Sequence, residues 1–234
     1  MSQSLYKNFL SVGFEQLNAK ADQHIIKLYK YNYNKYLPKN KQAKILDIGC
    51  GMGQFLQFLA GQGYDNYLGV DISPESVKYC QDKGIEKVRL IEDLVDYLIA
   101  CPLFDLIVLN DVIEHIPKSE IIPTMNRIYQ KLNPGGSIII KTGNMASLAG
   151  LRIRYNDFTH EAGFTEYSLS QVLKFCKFRG IIINPYLFPK NSPTRMIRFL
   201  GQKLVHAWWK LIYFLEFTDP PKIVDELIFA VSRK

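Results

Sequence analysis

Three glycines at every second position follow a short apolar run, and this arrangement limits what the chain can fold into. The segment reads Lys44-Ile-Leu-Asp47-Ile-Gly49-Cys50-Gly51-Met52-Gly53. Glycine adopts backbone angles that other residues avoid, and it lets a ligand lie directly against main-chain N–H groups. The pattern predicts a buried strand, a tight turn that holds a nucleotide-like molecule, and a helix start. A dinucleotide-binding turn would read G-x-G-x-x-G, whereas this one reads G-x-G-x-G after Asp47.

A second apolar segment, Asn66-Tyr-Leu-Gly-Val70, ends at Asp71 about 20 residues after the glycine turn. Nucleotide-binding folds place an acid at this point, where it accepts hydrogen bonds from ribose hydroxyls. Ser73 is a favourable N-cap for the next helix, and Pro74 suits its first position. Because Ser73 can cap the helix, we favour a binding role for Asp71 over a capping role.

Three later segments follow in the order expected of one nucleotide-binding sheet. Lys87–Ile91 precedes Glu92-Asp93-Leu94, Phe104–Leu109 precedes Asn110-Asp111-Val-Ile-Glu114-His115, and Leu132-Asn-Pro-Gly-Gly introduces Gly136–Ile140. Taken together, the segments from Lys44 to about Asn144 resemble the class I S-adenosylmethionine-dependent methyltransferases. Five ordered matches make this resemblance far more specific than the glycine turn alone.

The resemblance implies that S-adenosyl-L-methionine is the cofactor. In the family pattern the glycine turn surrounds the methionine end, the acid after the second strand binds the ribose, and the pair after the third strand contacts adenine. Carried onto this sequence, the cofactor-binding residues are Asp47, Gly49, Cys50, Gly51, Gly53, Asp71, Ile72, Asp93, Leu94, Asn110 and Asp111. Asp93 has an alternative role, since an acid in the first turn of a helix is stabilised by the helix dipole.

Short apolar runs alternate with amphipathic segments, which predicts parallel strands with helices on both faces of the sheet. The expected fold class is therefore α/β, with a doubly wound, mostly parallel sheet. The family pattern implies seven strands, of which the last two are Ile181–Pro185 and Leu227–Val231 and one is antiparallel. Helices are expected over Ala19–Tyr36 and after Met52, Ser73, Asp93, Ser119 and Ser168.

We expect a single domain, because 234 residues with 47% hydrophobic content suit one sizeable core. Its parts would be a leading helical segment (1–43), a cofactor-binding core (44–144), an acceptor-site loop and helix (145–180) and an amphipathic insertion (191–217). The four cysteines are widely spaced without a C-x-x-C pair, which argues against a disulfide framework or a zinc site. Met1–Phe14 lacks the features of a signal peptide, and no run is long and uncharged enough to span a bilayer, so a cytoplasmic protein is expected.

Methyl transfer to a hydroxyl needs a base but does not require a metal. A sulfonium-bound methyl group is already electrophilic, so the protein has to align the acceptor, exclude water and remove the hydroxyl proton. Neutral histidine suits that proton transfer near neutral pH. Of the four histidines, His24 lies in the leading helix and His206 in a distal helix, which leaves His115 and His160. His115 follows Asp111 by one helical turn, although packing in that segment is an alternative role.

The segment Arg152–Leu169 lies beyond the fifth strand, where the methyltransferase fold builds its acceptor pocket. It ends in Phe164-Thr-Glu-Tyr-Ser168-Leu, and its order of residues resembles methyltransferases of polysaccharide gene clusters more closely than the similar ubiquinone-type enzymes. The expected catalytic and acceptor-binding residues are His160, His115, Asp157, Arg154 and Phe164. The alternative is a loop that only leads into a helix over Ser168–Phe178 with Ser168 as its N-cap.

These features predict O-methylation of a hydroxyl on a sugar or glycan precursor. A quinone or small-phenol O-methyltransferase is the first alternative. Such an enzyme would need a more enclosed apolar pocket than the polar loop from Arg154 to Asp157 suggests. A nucleic-acid methyltransferase would use the net charge of +7. However, the lysines are spaced as on a solvated face, and the segment after the fourth strand lacks the N/D-P-P-Y/F pattern of exocyclic-amine methyltransferases. A non-catalytic cofactor-binding module is the last alternative.

The segment Asn191–Phe217 predicts a long amphipathic helix that begins at Ser192 and Pro193. Polar residues recur every three or four positions on one side, and apolar residues including Trp208 cover much of the rest. Such a helix, Pro193–Phe217, resembles an interfacial membrane anchor that would bring the enzyme to a lipid-linked acceptor at the inner face of the membrane. The alternative, which is the commoner use of an amphipathic helix, is that its apolar side packs on the sheet or on a partner subunit.

Overall fold

The computed structural model describes residues 19–189 and 192–234. Residues 1–18 and Asn191, which carried expectations about the leading segment and the insertion, lie outside the described residues. The strands are β1 Ile45–Ile48, β2 Tyr67–Asp71, β3 Val88–Leu90, β4 Phe104–Asn110, β5 Leu132–Gly143, β6 Arg179–Pro185 and β7 Leu227–Arg233. The helices are α1 Ala19–Tyr33, α2 Gln54–Gly61, α3 Pro74–Asp82, α4 Leu94–Ala100, α5 Lys118–Gln130, α6 Gly150–Asn156, α7 Glu166–Phe175 and α8 Pro193–Phe217.

The seven strands form one sheet in the order β3-β2-β1-β4-β5-β7-β6. Strands β1 to β5 pair in parallel, whereas β7 runs antiparallel to both β5 and β6. This architecture confirms the expected doubly wound α/β class with one antiparallel strand. The strand order reverses at β1, which pairs with both β2 and β4. In open α/β sheets the crevice beyond the carboxyl ends of such strands is the usual ligand site.

Two apolar clusters cover the two faces of the sheet. Every residue of β1 is buried, as expected for a parallel strand covered on both sides. Its side chains alternate between the clusters: Leu46 and Ile48 pack with α5 and α7, whereas Ile45 packs with α1 and α2. The rings of Tyr29 in α1 and Phe55 in α2 meet edge to face with centroids 5.2 Å apart. The leading helix therefore lies over the helix that follows the glycine turn.

Helix α7 begins earlier and ends earlier than predicted. Thr165 is the N-cap: its side chain accepts a hydrogen bond from Ser168 N at 3.3 Å, and Thr165 N donates to Ser168 Oγ at 2.9 Å. The expected helix over Ser168–Phe178 with Ser168 as N-cap was wrong, because Ser168 closes a capping box from the third helical position. At the other end, Lys177 has a φ of 66° that stops the helix before β6.

Two further features bear on function. The segment after β5 contains the short helix α6, which was expected to be a loop, so Arg154 lies on a helix. Within the described ranges, no helix is long and apolar enough to cross a membrane. The division of the chain into functional segments stays a prediction.

Candidate active site

The glycine turn between β1 and α2 is tied to the end of β2 by main-chain hydrogen bonds. Gly49 N donates to Val70 O at 2.8 Å, and Cys50 N donates to the same oxygen at 3.1 Å. Gly51 N donates to Asp71 Oδ2 at 2.8 Å. The turn and the acid after β2 therefore form one unit at the carboxyl edge of the sheet.

All three glycines of the turn have positive φ, with values of 67° at Gly49, 51° at Gly51 and 77° at Gly53. A Cβ at Gly49 would lie 2.5 Å from Val112 Cγ2, and one at Gly53 would lie 2.7 Å from Ile85 Cδ1. A Cβ at Gly51 would meet no atom of the described chain within 4 Å. The turn is thus packed at both ends and open in the middle, where a ligand can approach the backbone.

Two buried polar atoms at the ends of β1 and β4 have no hydrogen-bond partner among the described residues: Asp47 Oδ1 and Asn110 Nδ2. The side-chain oxygen of Asn110 is already engaged, since Tyr33 Oη donates to it at 2.8 Å. Burial raises the pKa of Asp47 well above its ordinary value, and the nearby Asp71 raises it further. A buried acceptor and a buried donor left unpaired are costly, so they indicate groups that a ligand can satisfy.

Asp71 has structural partners that the sequence did not reveal. Its Oδ1 accepts a hydrogen bond from Ser73 N at 2.8 Å, and its Oδ2 accepts the bond from Gly51. Burial raises the pKa of Asp71, although hydrogen bonds from Ser73, Gly51 and Ile72 counter that shift. Ser73 caps α3 as predicted, accepting a bond from Ser76 N. Because each carboxylate oxygen can accept a further bond, the ribose role of Asp71 stays a prediction.

Asp93 is exposed and caps α4. Its Oδ1 accepts hydrogen bonds from Val95 N at 2.7 Å and from Asp96 N at 3.0 Å. Asp93 therefore caps the helix, as expected of a carboxylate at a helix N-terminus. Leu94 beside it is half-buried, and adenine contacts for this pair stay a prediction.

Lys141 lies on the other side of the crevice, at the end of β5, and sequence analysis missed it. Its Nζ is 2.5 Å from Asp111 Oδ2 and 5.1 Å from the ring centroid of Tyr186. Burial alone would lower the pKa of Lys141, but Asp111 and Tyr186 raise it. Asp111 itself has a φ of 55°, an angle uncommon for residues other than glycine and often found at functional sites. A charged pair thus borders the site that contains Asn110.

Glu114 is the second residue that sequence analysis missed, although an acid between Ile113 and His115 in a buried segment was a usable signal. It is 5% exposed, and its Oε2 has no hydrogen-bond partner among the described residues. Burial and then the charge of Asp111 raise the pKa of Glu114 to about 8. Its backbone oxygen accepts hydrogen bonds from Glu161 N at 2.8 Å and Ala162 N at 3.0 Å. This contact docks the loop after α6 onto the segment after β4.

That docking brings the two candidate histidines together. The ring centroids of His115 and His160 are 4.7 Å apart. His160 Nδ1 is 2.9 Å from Ile153 O, a contact that places the ring proton on Nδ1 and the lone pair on Nε2 in the neutral tautomer. Burial lowers the pKa of His115, and the neighbouring His160 lowers it further. Both rings are half-buried at the same edge of the sheet as the glycine turn.

Asp157 and Thr159 extend the histidine pair into a hydrogen-bonded chain. Thr159 Oγ1 donates to Asp157 Oδ1 at 2.7 Å and lies 2.9 Å from His115 Nδ1, so the hydroxyl links the carboxylate to the ring. Burial alone would raise the pKa of Asp157, but hydrogen bonds from Thr159 and the nearby histidines lower it. The three residues predicted to be catalytic, His160, His115 and Asp157, therefore lie together.

The same three side chains could also hold a metal ion. One ligand atom from each of His115, Asp157 and His160 lies within 4.8 Å of the others. Imidazole nitrogen and carboxylate oxygen are common ligands for divalent cations. A metal site was not expected from the sequence, because His115 comes from a different segment than Asp157 and His160.

Arg154 and Phe164, the two residues predicted to bind the acceptor, contact other parts of the protein. The guanidinium of Arg154 donates to the backbone oxygen of His160 and, at 3.1 Å, to that of Glu161. Arg154 therefore holds in place the loop of residues 157–162, which carries His160 and is called the histidine loop below. Phe164 is 3% exposed and packs in the larger apolar cluster. Direct contact of Arg154 or Phe164 with an acceptor stays a prediction.

A family model described as a methyltransferase domain matches residues 21–181. The mitochondrial ubiquinone biosynthesis O-methyltransferase of Mus musculus is 36% identical over 116 residues, which cover 45% of this chain and 30% of that protein. The ubiquinone biosynthesis O-methyltransferase of Rickettsia prowazekii is 31% identical over 140 residues, which cover 58% of this chain and 52% of that protein. The chain thus spans about a third to a half of the length of these curated relatives.

Solved structures share the fold at low identity. An S-adenosylmethionine-dependent methyltransferase from Archaeoglobus fulgidus has a TM-score of 0.65 and 23% identity, covering 89% of this chain and 94% of that chain. Phosphoethanolamine N-methyltransferase 2 of Haemonchus contortus, solved with phosphomonomethylethanolamine and S-adenosylhomocysteine, has a TM-score of 0.61 and 18% identity, covering 98% of this chain and 60% of that chain. The glycine turn and the sheet order agree with the fold that these solved structures share.

Proposed function

The chain belongs to the class I S-adenosylmethionine-dependent methyltransferases, and on that basis we propose that it methylates a hydroxyl of a sugar or glycan precursor. The observation that carries this proposal is the chain of Asp157, Thr159 and His115 beside His160, at the sheet edge that bears the glycine turn. Hydroxyl groups need a base as they react, and this group supplies one.

The residues around the glycine turn fit S-adenosylmethionine. Its methionine end carries an ammonium and a carboxylate, which match the unpaired Asp47 Oδ1 and Asn110 Nδ2. Asp71 with Ile72 would hold the ribose, and Asp93 with Leu94 would lie at adenine. When bound, the cofactor supplies an electrophilic methyl group. The chain's own residues then have to orient the acceptor oxygen and keep water away from it.

Replacing Gly51 with alanine should weaken S-adenosylmethionine binding at least tenfold while leaving the protein folded. No described atom would lie within 4 Å of the added methyl, so the methyl would occupy the open space that we assign to the cofactor. Calorimetric titration of the cofactor measures this effect, where tenfold corresponds to about 1.4 kcal/mol.

Gly63→Ala is the matched control for that substitution. Gly63 has a φ of 80° and also has no described atom within 4 Å of an added Cβ, but it lies just beyond α2, at the end away from the turn. It shares the strain of a positive φ without facing the proposed site. If both variants bound the cofactor equally well, the assignment of this turn would be wrong.

His160 is the proposed general base. Its contact with Ile153 O leaves Nε2 able to take the acceptor's hydroxyl proton as the oxygen becomes methylated. Arg154 supports this role by holding the backbone oxygen of His160. Thr159 and Asp157 orient the ring of His115, whose lowered pKa keeps it neutral beside the base.

A quinol or small-phenol acceptor is the second candidate. The curated relatives reported above are ubiquinone biosynthesis O-methyltransferases. In addition, three apolar side chains in and just after α6 are exposed and could contact a hydrophobic acceptor. They are Leu151 (77% exposed), Tyr155 (75%) and Phe158 (91%). The polar histidine loop favours the sugar acceptor, whereas this apolar set favours the quinol.

A panel of acceptors separates these functions. We expect radiolabelled S-adenosylmethionine to label nucleotide sugars or lipid-linked glycans when all candidates are offered with the protein. Label in a quinol alone would move the assignment to the second candidate, and label in RNA would refute both. Tight cofactor binding without any labelled acceptor would indicate a binding module.

A further inference from the structure

Helix α8 is attached to the protein along one side, which carries His206, Trp209 and Lys210. Trp209 Nε1 donates a hydrogen bond to Ala146 O at 2.9 Å, and Lys210 Nζ donates to Lys222 O at 2.6 Å. His206 Nδ1 lies 4.0 Å from Asp225 Oδ1. These contacts join one face of α8 to the segments that follow β5 and precede β7. No residue of α8 is buried in the described structure, so the alternative in which the apolar side packs on the sheet was wrong.

The opposite face of α8 is apolar and exposed. Its large side chains recur every three or four positions, which places them in one row along the helix. The row, here called the outer stripe, consists of Ile197, Leu200, Leu204, Trp208, Leu211 and Leu215. Each of these side chains is between 53% and 74% exposed. A contiguous apolar surface of this length on a protein marks an interaction site.

Basic residues border the outer stripe. Arg198 and Lys203 are exposed, and α8 has four basic residues with one acid, Glu216, near its end. A second copy of this chain docked through the stripe would bring these cations together without acids to pair them, which disfavours self-association. Long basic side chains can instead reach anionic headgroups while neighbouring apolar groups enter the acyl region.

The helix also lies next to the segment that carries the histidine loop. Ala146, which accepts the bond from Trp209, precedes α6 by a few residues, and α6 runs directly into Asp157. The exposed side chains Leu151, Tyr155 and Phe158 belong to this same region. An apolar surface near the acceptor site fits a protein that works beside a lipid phase.

We propose that α8 docks the protein on an anionic lipid bilayer. The helix lies in the interface, with the outer stripe among the acyl chains and with Arg198 and Lys203 at the headgroups. Docking does not depend on which acceptor is methylated, since lipid binding requires no catalysis. It would place the histidine loop close to acceptors that carry a lipid tail.

Co-sedimentation of the full chain with liposomes tests the proposal. Vesicles of phosphatidylcholine with about a third phosphatidylserine should pellet the protein at low salt, and binding should fall as salt rises. Arg198→Gln with Lys203→Gln should reduce partitioning at least tenfold, since each basic residue contributes roughly fivefold. Protein that stays in the supernatant at low salt, or that binds pure phosphatidylcholine equally well, would overturn the proposal.

Two pairs of apolar substitutions make the test specific. Leu204→Gln with Leu211→Gln should reduce partitioning at least tenfold, whereas Ile99→Gln with Leu103→Gln, at exposed apolar positions of α4 and the following loop, should leave it unchanged. Cofactor titration of every variant confirms that it is folded and keeps the result separate from the proposed function. Equal losses in both pairs would overturn the role of α8. If the protein were a dimer in solution, and if only Leu204→Gln with Leu211→Gln made it monomeric, the outer stripe would instead bind a second copy of the chain.

Discussion

Replacing His160 with alanine should lower kcat by about 10²–10⁴-fold, the usual contribution of a positioned general base. Cofactor affinity should change little, because His160 belongs to the loop docked on Glu114 and not to the glycine turn. The loop itself keeps the two bonds that Arg154 makes to backbone oxygens. Initial rates with the acceptor identified in the panel, together with cofactor titration, measure the two effects separately.

His24→Ala is the control for this experiment, since His24 lies on α1 and outside the histidine group. A His160→Ala variant with full activity would refute the base assignment. Wild-type activity should survive dialysis against a chelator, because a histidine base needs no ion. Activity that a chelator abolishes and Mg²⁺ restores would instead make His115, Asp157 and His160 metal ligands.

Replacing Glu114 with glutamine should remove a large pH dependence of stability. Burial and Asp111 raise the pKa of Glu114 from 4.5 to about 8 in the folded protein. Between these values the folded state holds a proton that the unfolded state has lost, so the free energy of unfolding falls as pH rises. From pH 5 to pH 8 this loss amounts to roughly 3 kcal/mol. Glutamine is neutral in both states and does not contribute to the slope.

Urea unfolding of both proteins at pH 5 and pH 8 measures this difference. Subtracting the variant from the wild type at each pH cancels the titration of other groups, including His115. The wild type should lose stability relative to Glu114→Gln as pH rises. Glu86→Gln, a change at an exposed acid, should show no such trend. Parallel pH profiles for wild type and Glu114→Gln would mean that Glu114 is ionised in the folded protein.

The segments proposed to bind the cofactor were predictable because their signals are local. A positive φ at three alternate residues is a property of the glycine turn itself, and the turn lies where it was expected, between β1 and α2. Ser73 caps α3 for a reason contained in four consecutive residues. The exception is Asp71, whose bond to Gly51 N joins two turns that are 20 positions apart in the chain.

The group of candidate catalytic residues was only partly predictable, because its contacts join distant segments. His115 and His160 could each be named from the sequence, but their pairing depends on the bonds from Glu161 and Ala162 to the backbone oxygen of Glu114. Hydrogen bonds between backbone atoms do not depend on which side chains the residues carry, so the sequence does not reveal them. For the same reason Arg154, expected to contact an acceptor, was not recognised as the residue that holds the histidine loop.

The amino-acid sequence by itself determined the glycine turn and the order of the strands, because periodicity and backbone preference act over a few neighbouring residues, and the resemblance of its ordered motifs indicated the family. It also determined that α8 has a polar and an apolar side. Only the tertiary structure decided that the side of α8 with Trp209 meets the protein, that Glu114 is buried beside Asp111, and that His115, Asp157 and His160 share one site. The helical period shows which residues share a face of a helix, but it does not show what that face contacts. Those contacts depend on how segments that are distant in the sequence pack together.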